Sequence, residues 1–594
     1  MALSLGGMDA AELRAQAQRW IADDPDPATQ AELRAILAQP DLASTDLPDR
    51  FAGSLEFGTA GLRGVLGAGP NRMNRAVVAR ATWGLAQEVL ASIPDAQKRG
   101  AIVGGDARRM SPEFSEDVAA ILAQAGLTVL LFPAPVPTPL VGFAVKRLGL
   151  AAGVVITASH NPPEYNGYKV YWGNAAQIVP PVDSRIAAAI GRAPPACAIA
   201  RPALGLLRAD GRVRRPPEDL GRAYLAELRT LAVYPSAGDR RLSIVYTPMH
   251  GVGDALAREA LREAGFVSVT SVPEQQKPDG AFPTVAFPNP EEPGAMDLAF
   301  ALARKTGADL VLANDPDADR LAVAAAQAGG YRQLTGNEVG VLLGHYLLTE
   351  RPALARTTMG RAILVSIVSS PLLGRIAIDL GVYYEETLTG FKWISNRAIE
   401  LERQGYEFVF GYEEALGYCV GSVVRDKDGI SAALLAAEVA AVLRSRGLTL
   451  FDQLDAISRR WGVFASAQVN LTRKGASGLA SIRAMMSALR SSPPGHVGDD
   501  QVVAVADYEA RVRTDVRSRR TSALSLPGSN VLAYELASGS RIIARPSGTE
   551  PKAKFYFDVP EQLGEKEPVS QARERANARL ERLKDAFQSV FSRL

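Results

Sequence analysis

Short apolar runs alternate along this chain with longer stretches in which apolar residues recur every three or four positions. The first pattern, bounded by turn formers, predicts buried strands; the second predicts helices. Residues 1–50 read as helical, with Leu13, Ala17, Trp20 and Ile21 near one face and breaks at Asp24-Pro25-Asp26-Pro27 and near Pro40. Ala101 to Gly105 reads as a strand, Ser111 to Ala125 as a helix, and Leu127 to Phe132 as the next strand. Gly153 to Ile156 is another strand, and it empties into Thr157-Ala158-Ser159-His160-Asn161-Pro162. The rhythm restarts with a strand at Arg241 to Tyr246 and a helix at Asp254 to Ala264. Further strands follow at Leu310 to Ala313, Ala362 to Ile367 and Phe408 to Gly411. This alternation predicts largely parallel sheets covered by helices, with ligands collecting in the loops after the strand carboxyl ends. From about residue 460 the pattern changes to hairpin-like strands and a charged helix over about 569–589, which predicts a smaller α+β domain.

Length and composition narrow the class. A chain of 594 residues is long enough for about three to five domains. Pro-rich stretches around 191–217 and 491–499 suggest boundaries. Sixty-six basic residues against 64 acidic ones leave no bulk charge to argue for a nucleic-acid or membrane partner. No segment approaches the ~18–20 apolar residues of a membrane span, and the amino terminus lacks a signal-peptide pattern, so the expected location is the cytoplasm. Cys197 and Cys419 lie far apart with no metal-binding spacing and are expected as two buried free thiols. His250 is expected to support the site from a loop, His345 to pack in an apolar helix, and His496 to be solvated.

Five strings can carry chemistry. The Thr157–Pro162 string follows a strand, so Ser159 is presented at a sheet edge, although Ser, Asn and Pro are also ordinary turn formers. It is no hydrolase elbow, because Gly-x-Ser-x-Gly is absent. Asp315-Pro316-Asp317-Ala318-Asp319-Arg320 places three carboxylates at alternate positions, able to converge on a hard cation such as Mg2+. An EF-hand is excluded by Arg320 at the sixth position and Ala326 at the twelfth. Arg545-Pro546-Ser547-Gly548-Thr549-Glu550-Pro551-Lys552 combines cations, hydroxyls and a glycine, the parts of a phosphate cradle, and equally suits a hairpin turn. Glu413-Glu414 after Gly411-Tyr412 can accept sugar hydroxyls, or form a solvated face. Phe57-Gly58-Thr59-Ala60-Gly61-Leu62-Arg63-Gly64 sets an arginine in a glycine loop.

Taken together, the strings resemble the phosphohexomutase superfamily of phosphoglucomutases and phosphomannomutases. The likeness runs from Gly58 to Lys552 with the motifs in the family's order. Thr387-Leu388-Thr389-Gly390-Phe391-Lys392-Trp393-Ile394 and Tyr412-Glu413-Glu414-Ala415-Leu416-Gly417 are most similar to the phosphoglucomutase/phosphopentomutase branch. The resemblance implies an α/β chain of three similar mixed-sheet domains and a smaller C-terminal α+β domain around a central cleft. The domains would be 1–210 with the phosphoserine loop, 211–328 with the metal loop, 329–460 with the sugar loop and 461–594 with the phosphate loop. Ser159 would carry the phosphoryl group, and Asp315, Asp317 and Asp319 would hold Mg2+ with a phosphoserine oxygen. Arg63, His160 and Lys169 would surround the reacting phosphoryl group. Substrate would be bound by Thr59, Arg63, Asn161, Arg320, Gly390, Lys392, Glu413, Arg545, Ser547, Gly548, Thr549 and Lys552.

The activity so implied is interconversion of glucose 1-phosphate and glucose 6-phosphate by way of glucose 1,6-bisphosphate, which would also act as activator. The protein would be a monomer or dimer with a small sugar phosphate as its partner. One departure matters: many hexose mutases carry Glu-x-Ser in the sugar loop, and here Ala415 replaces the serine. That leaves room for a phosphopentomutase or phosphomannomutase. A metal-dependent sugar phosphatase and a non-catalytic sugar-phosphate sensor are the remaining alternatives.

Overall fold

The apolar runs form the central strands of four sheets in this computed structural model, which describes residues 10–56, 61–234, 240–351, 359–473, 475–546 and 552–591. Contacts divide the chain into two units. The first holds Met1–Leu334 with Ala398–Glu400 and Ala415–Val442; the second holds the remainder, including Leu443–Leu594.

The first unit opens on helices Ala10–Asp23 and Pro27–Leu37, divided where the sequence breaks. Asp26 caps the second helix by accepting the Ala28 N–H at 2.9 Å, and Pro27 fits the first turn because no N–H is required there. Leu13, Ala17, Leu33 and Phe51 form a small core beside which Trp20 and Ile21 pack. The first sheet follows. Its strands are β1 (Leu62–Val65), β2 (Ala101–Gly105), β3 (Val129–Leu131), β4 (Ala152–Ile156), β5 (Tyr165–Trp172) and β6 (Val213–Arg214), in the order β1-β5-β4-β2-β3-β6. β2 runs parallel to β3 and β4, and all residues of β2 and β4 are buried. β5 runs antiparallel to both β4 and β1. The loop from β4 to β5 is too short for a parallel crossover, which takes about a dozen residues, so the chain turns straight back. The sheet is therefore mixed.

The register of β5 positions the site. Arg63 lies opposite Gly167, and Val155 opposite Lys169. A Cβ on Gly167 would lie 2.6 Å from the Thr157 carbonyl oxygen and 2.7 Å from that of Leu62, so only glycine lets the strands close here.

The second sheet contains β7 (Ile244–Thr247), β8 (Val269–Ser271), β9 (Leu310–Ala313), β10 (Ala322–Gln327) and β11 (Gly330–Gln333), in the order β11-β10-β9-β7-β8. β9 and β10 are antiparallel neighbours, and residues 314–321 join them. In the second unit β12 (Arg361–Ser366) pairs in parallel with β13 (Tyr383–Thr387) and β14 (Glu407–Glu413). The fourth sheet is antiparallel; strand Val463–Thr472 forms one edge of it, beside Lys552–Glu561 and then Arg541–Pro546, and helices Gly475–Ser491 and Val569–Phe591 pack on its core.

Cys419 is buried, as expected. Cys197 is exposed, which corrects the expectation of a buried thiol: in the short turn Ala196–Ala198 it is Ala196 that faces inward. His496 is exposed, and His345 meets the Trp461 ring edge-on at 5.5 Å. Among the described residues no helix is long and apolar enough to cross a membrane.

The C-terminal helix is anchored by Phe587, which is fully buried and touches the rings of Phe555, Phe557 and Tyr534. Phe587→Ala is expected to destabilise the fourth sheet and its helices by about 3–5 kcal/mol. Chemical denaturation followed by circular dichroism reads this as a lowered midpoint; an unchanged midpoint would take the helix out of this core.

Candidate active site

Ser159 stands in the loop that β4 feeds, with a positive φ of 53°. Its Oγ donates to Asp315 Oδ2 at 2.7 Å and lies 3.2 Å from His160 Nδ1. Its N–H donates to Thr157 Oγ1 at 2.8 Å, and that hydroxyl donates in turn to Asp106 Oδ2 at 2.7 Å. Arg108, wholly buried, holds the loop from beneath. Its guanidinium donates to the carbonyls of Ser159 at 2.7 Å, Pro162 at 2.7 Å, Tyr165 at 3.1 Å and also Asn161. A planar fork of five donors suits one cation serving four acceptors. Arg63 Nη1 donates to Asn161 Oδ1 at 3.0 Å, so β1 and the serine loop meet at that pair.

The second sheet supplies the acidic triplet. Asp315, Asp317 and Asp319 are buried, and each offers an oxygen within 4.8 Å of the others. Asp317 Oδ2 accepts from Thr138 Oγ1 at 2.7 Å and from Lys169 Nζ at 2.8 Å. Asp319 Oδ2 accepts from Lys169 Nζ at 2.7 Å. Burial and the charges of Asp317 and Asp319 push the Asp315 carboxyl well above the usual carboxylate range. Burial acts the same way on Asp317, but Lys169 outweighs it and holds Asp317 below that range. Burial alone would lower the Lys169 ammonium; Asp317, Asp319 and Asp426 instead raise it well above the ordinary lysine value. Asp317 Oδ1 and Asp319 Oδ1 are buried and accept no hydrogen bond. Buried carboxylate oxygens without donors are costly, and a hard divalent cation satisfies them. The donor set, three carboxylates beside a serine hydroxyl, fits Mg2+.

His250 also lies in the first unit, buried in the loop after β7, where Nε2 meets Thr284 Oγ1 at 2.9 Å. Burial lowers its pKa, which keeps the ring neutral, and its role is to brace that loop.

The second unit holds the remaining strings. Gly390 has φ 113° and its N–H donates to Glu413 Oε1 at 2.7 Å, so the two predicted sugar-binding residues are joined directly. Lys392 is buried, its Nζ 5.5 Å from the centre of the Trp393 ring. Glu414 is tied down by neighbours: its N–H donates to Ser369 Oγ at 3.1 Å, and its Oε2 accepts from Ser366 Oγ at 3.3 Å. Arg545 stands opposite Lys554 in the fourth sheet and hydrogen-bonds to Tyr556, whose phenol Glu413 and Glu414 also influence. Lys552 begins the next strand. Thr59, Ser547, Gly548 and Thr549 lie outside the described residues.

Family comparison accords with this geometry. Three successive regions match the phosphoglucomutase/phosphomannomutase alpha/beta/alpha domains: domain I at residues 54–195, domain II at 222–329 and domain III at 335–459. A probable phosphoribomutase of Schizosaccharomyces pombe is 38% identical over 91% of this chain and 92% of its own. Human phosphopentomutase is 36% identical over 94% of this chain and 93% of its own. The chain belongs to the alpha-D-phosphohexomutase superfamily. A probable phosphomannomutase of Haemophilus influenzae, 41% identical over 82% of this chain and 93% of its own, is a further relative.

In this member of the superfamily, Ser159, His160, Lys169, Asn161, Arg63, Arg320 and the three aspartates gather in the first unit. Arg320 donates its N–H to Asp315 Oδ1 at 3.0 Å. Gly390, Lys392, Glu413, Arg545 and Lys552 belong to the second. Sequence reasoning passed over Asp106, Arg108, Thr138 and Lys427. Asp106-Ala107-Arg108 carried a signal, an Asp-x-Arg string directly after a strand.

The Lys169 cluster makes stability depend on pH. Asp317, with its lowered pKa, contributes above the ordinary carboxylate value of ~3.9 and loses that contribution as acid carries pH below it. Lys169, with its raised pKa, contributes below the ordinary lysine value of ~10.4 and loses that contribution as base carries pH above it. Lys169→Met strands two buried carboxylates and is expected to cost about 3–5 kcal/mol between these limits. Denaturation of wild type and variant at pH 3 and 7 should give the larger gap at pH 7; a gap that does not narrow in acid would overturn the ion-pair account.

Proposed function

We propose that this protein moves a phosphoryl group between C1 and the terminal carbon of a sugar phosphate, with Ser159 as the carrier. The observation behind this reading is the Ser159 hydroxyl, 2.7 Å from Asp315 in a buried ring of carboxylates and cations. Phospho-Ser159 gives its phosphoryl group to the free hydroxyl of a sugar monophosphate; the P–O bond to Ser159 Oγ breaks as the bond to the sugar oxygen forms. The resulting bisphosphate returns its other phosphate to Ser159 and leaves as the isomer. Such transfer is catalysed by positioning and charge neutralisation. Mg2+ held by Asp315, Asp317 and Asp319 would supply Lewis-acid stabilisation of the phosphoryl oxygens. Arg63 and His160 bind those oxygens in this mechanism, and Lys169 moves the proton at Ser159 Oγ. Arg320 and Asn161 hold the loops around the phosphoryl group. Gly390, Lys392 and Glu413 read the sugar hydroxyls, and Arg545 with Ser547, Gly548, Thr549 and Lys552 clamps the distal phosphate. The sugar bisphosphate would reload Ser159 after loss of its phosphate, the activator role expected of glucose 1,6-bisphosphate.

Two sugars compete. The glucose 1-phosphate and 6-phosphate pair was the expectation from the motifs. A pentose pair, ribose or deoxyribose 1-phosphate and 5-phosphate, is favoured by Ala415 in place of the hydroxyl and by relatives named phosphoribomutase and phosphopentomutase. We therefore place the pentose first. The kcat/KM for ribose 1-phosphate is expected to exceed that for glucose 1-phosphate by about tenfold or more, a difference of ~1.4 kcal/mol in transition-state binding. The opposite ratio restores glucose. Intact mass should show a gain of about 80 Da that maps to Ser159 and is lost in Ser159→Ala, together with turnover. Stoichiometric release of free phosphate would replace the mutase by a phosphatase.

A further inference from the structure

A second ammonium reaches the acidic triplet. Lys427 Nζ lies 3.2 Å from Asp319 Oδ2, the same oxygen that Lys169 engages at 2.7 Å. Lys427 sits in Arg425-Asp426-Lys427-Asp428-Gly429, a stretch of the first unit that follows the Glu413-Glu414 pair in sequence. Its placement is built. Asp426, buried, accepts from Tyr171 OH and Gln177 Nε2 at 2.6 Å each and from the Lys427 N–H at 2.8 Å. Tyr171 lies two residues beyond Lys169 on β5. The Gly429 N–H donates to the Ala318 carbonyl at 3.1 Å, and the Leu321 N–H to the Leu416 carbonyl at 3.0 Å, so the segment is stitched to the aspartate loop on both sides of Asp319. A Cβ on Gly417 would lie 2.3 Å from Lys427 Cδ, so the lysine stem crosses a position where only glycine gives it room.

A cation on the triplet must share Asp319 with this fixed positive charge. The attraction of the carboxylates is reduced by repulsion from an ammonium on the same oxygen, in a buried setting where screening is weak. We propose that Lys427 is an internal competitor at the cation site: its charge lowers the affinity for Mg2+ and makes cation uptake depend on where the 415–442 segment sits. This rests on the Mg2+ reading of the triplet.

The test is calorimetric titration of Mg2+ into the full-length wild type, Lys427→Met and Lys427→Arg. Lys427→Met is expected to bind Mg2+ about tenfold tighter than wild type, while Lys427→Arg, which keeps the charge, stays within about threefold. Saturating Mg2+ should also raise the thermal midpoint of Lys427→Met by more than that of wild type. Equal or weaker binding by Lys427→Met, with saturable binding by wild type, would sink the competitor role and leave the metal reading standing. A wild type that takes up no Mg2+ would overturn both. If Lys427→Met does not fold, Gly417→Ala, which displaces the stem and keeps the charge, is expected to tighten Mg2+ binding in the same direction, and unchanged binding there overturns the proposal.

Discussion

Three carboxylates buried on one loop between antiparallel strands set the terms for the first unit. An ionised carboxylate moved out of water without partners is expensive, so Asp315, Asp317 and Asp319 can sit there only where donors converge. The donors come from widely separated segments. Ser159 arrives from the loop after β4, Lys169 from the middle of β5, and Lys427 from the 415–442 segment. Thr138 opens helix Thr138–Leu148 and gives Asp317 both its hydroxyl and its N–H, the latter to the Asp317 carbonyl at 2.9 Å. Satisfying the triplet therefore requires the first and second sheets to meet along that line. The same requirement explains why β5 turns back at once: a parallel β5 would not set Lys169 opposite Val155, beside the loop that carries the serine.

Second-unit contacts follow a different logic, in which carboxylates organise backbone. Glu413 fixes the left-handed Gly390 through its N–H, and Glu414 is fixed by two serines. Arg541, on the strand that leads to Arg545, donates to Asp558 at 2.8 Å, to Glu386 at 3.2 Å and to the Ser369 carbonyl at 2.7 Å. Ser369 is also the residue that receives the Glu414 N–H. Around this network Ile367, Val368 and Leu388 pack with Val531, Ile543 and Tyr556. One half-buried guanidinium thus ties the strand entering the predicted phosphate cradle to the Ser369 loop that fixes Glu414. Glu413 lies outside the serine clamp, and its Oε1 accepts the Gly390 N–H instead.

Strands such as β2, β4 and β9 were legible because they are buried on both faces, and burial on both faces leaves an unbroken apolar run. β5 was not legible. Its first residues, Tyr165-Asn166-Gly167, close a run of turn formers that begins at Pro162-Pro163, yet Asn166 to Lys169 are buried for reasons of chemistry and close approach. Within the site, Ser159 and the aspartates were legible as strings because their residue types are themselves the chemistry. Arg108 was less so, since its acceptors are backbone carbonyls, which leave no mark on a sequence. Lys427 was invisible for a further reason: its partner, Asp319, lies more than a hundred positions earlier, and nothing local to Asp426-Lys427-Asp428 distinguishes it from a solvated charged turn.

Backbone conformation carries the last part of the site's organisation. Ser159, Met249, His250 and Ala318 all have positive φ, at 53°, 50°, 60° and 58°, in loops that follow strands. For residues with a Cβ such conformations cost on the order of 1–3 kcal/mol each and persist only where the surroundings over-determine them. The over-determination is visible at each, and for Met249 it is the N–H donated to Thr247 Oγ1 at 3.0 Å. Ser159 is held through its carbonyl by Arg108 and through its N–H by Thr157. The Ala318 N–H donates to the Asp315 carbonyl at 2.9 Å, while its carbonyl receives Gly429. His250 donates its N–H to Gln275 and accepts from Asp279, each at 2.9 Å, and the next residue, Gly251, lies so close to Pro316 that a Cβ would come within 2.4 Å of it. The loops after β7 and β9 are therefore locked to each other as well as to their own strands. Relaxing Ser159 into an extended conformation would break the Arg108 and Thr157 bonds and swing Oγ away from Asp315. The carrier role proposed for Ser159 would gain from such a lock, because the position of Oγ is then set by a buried frame.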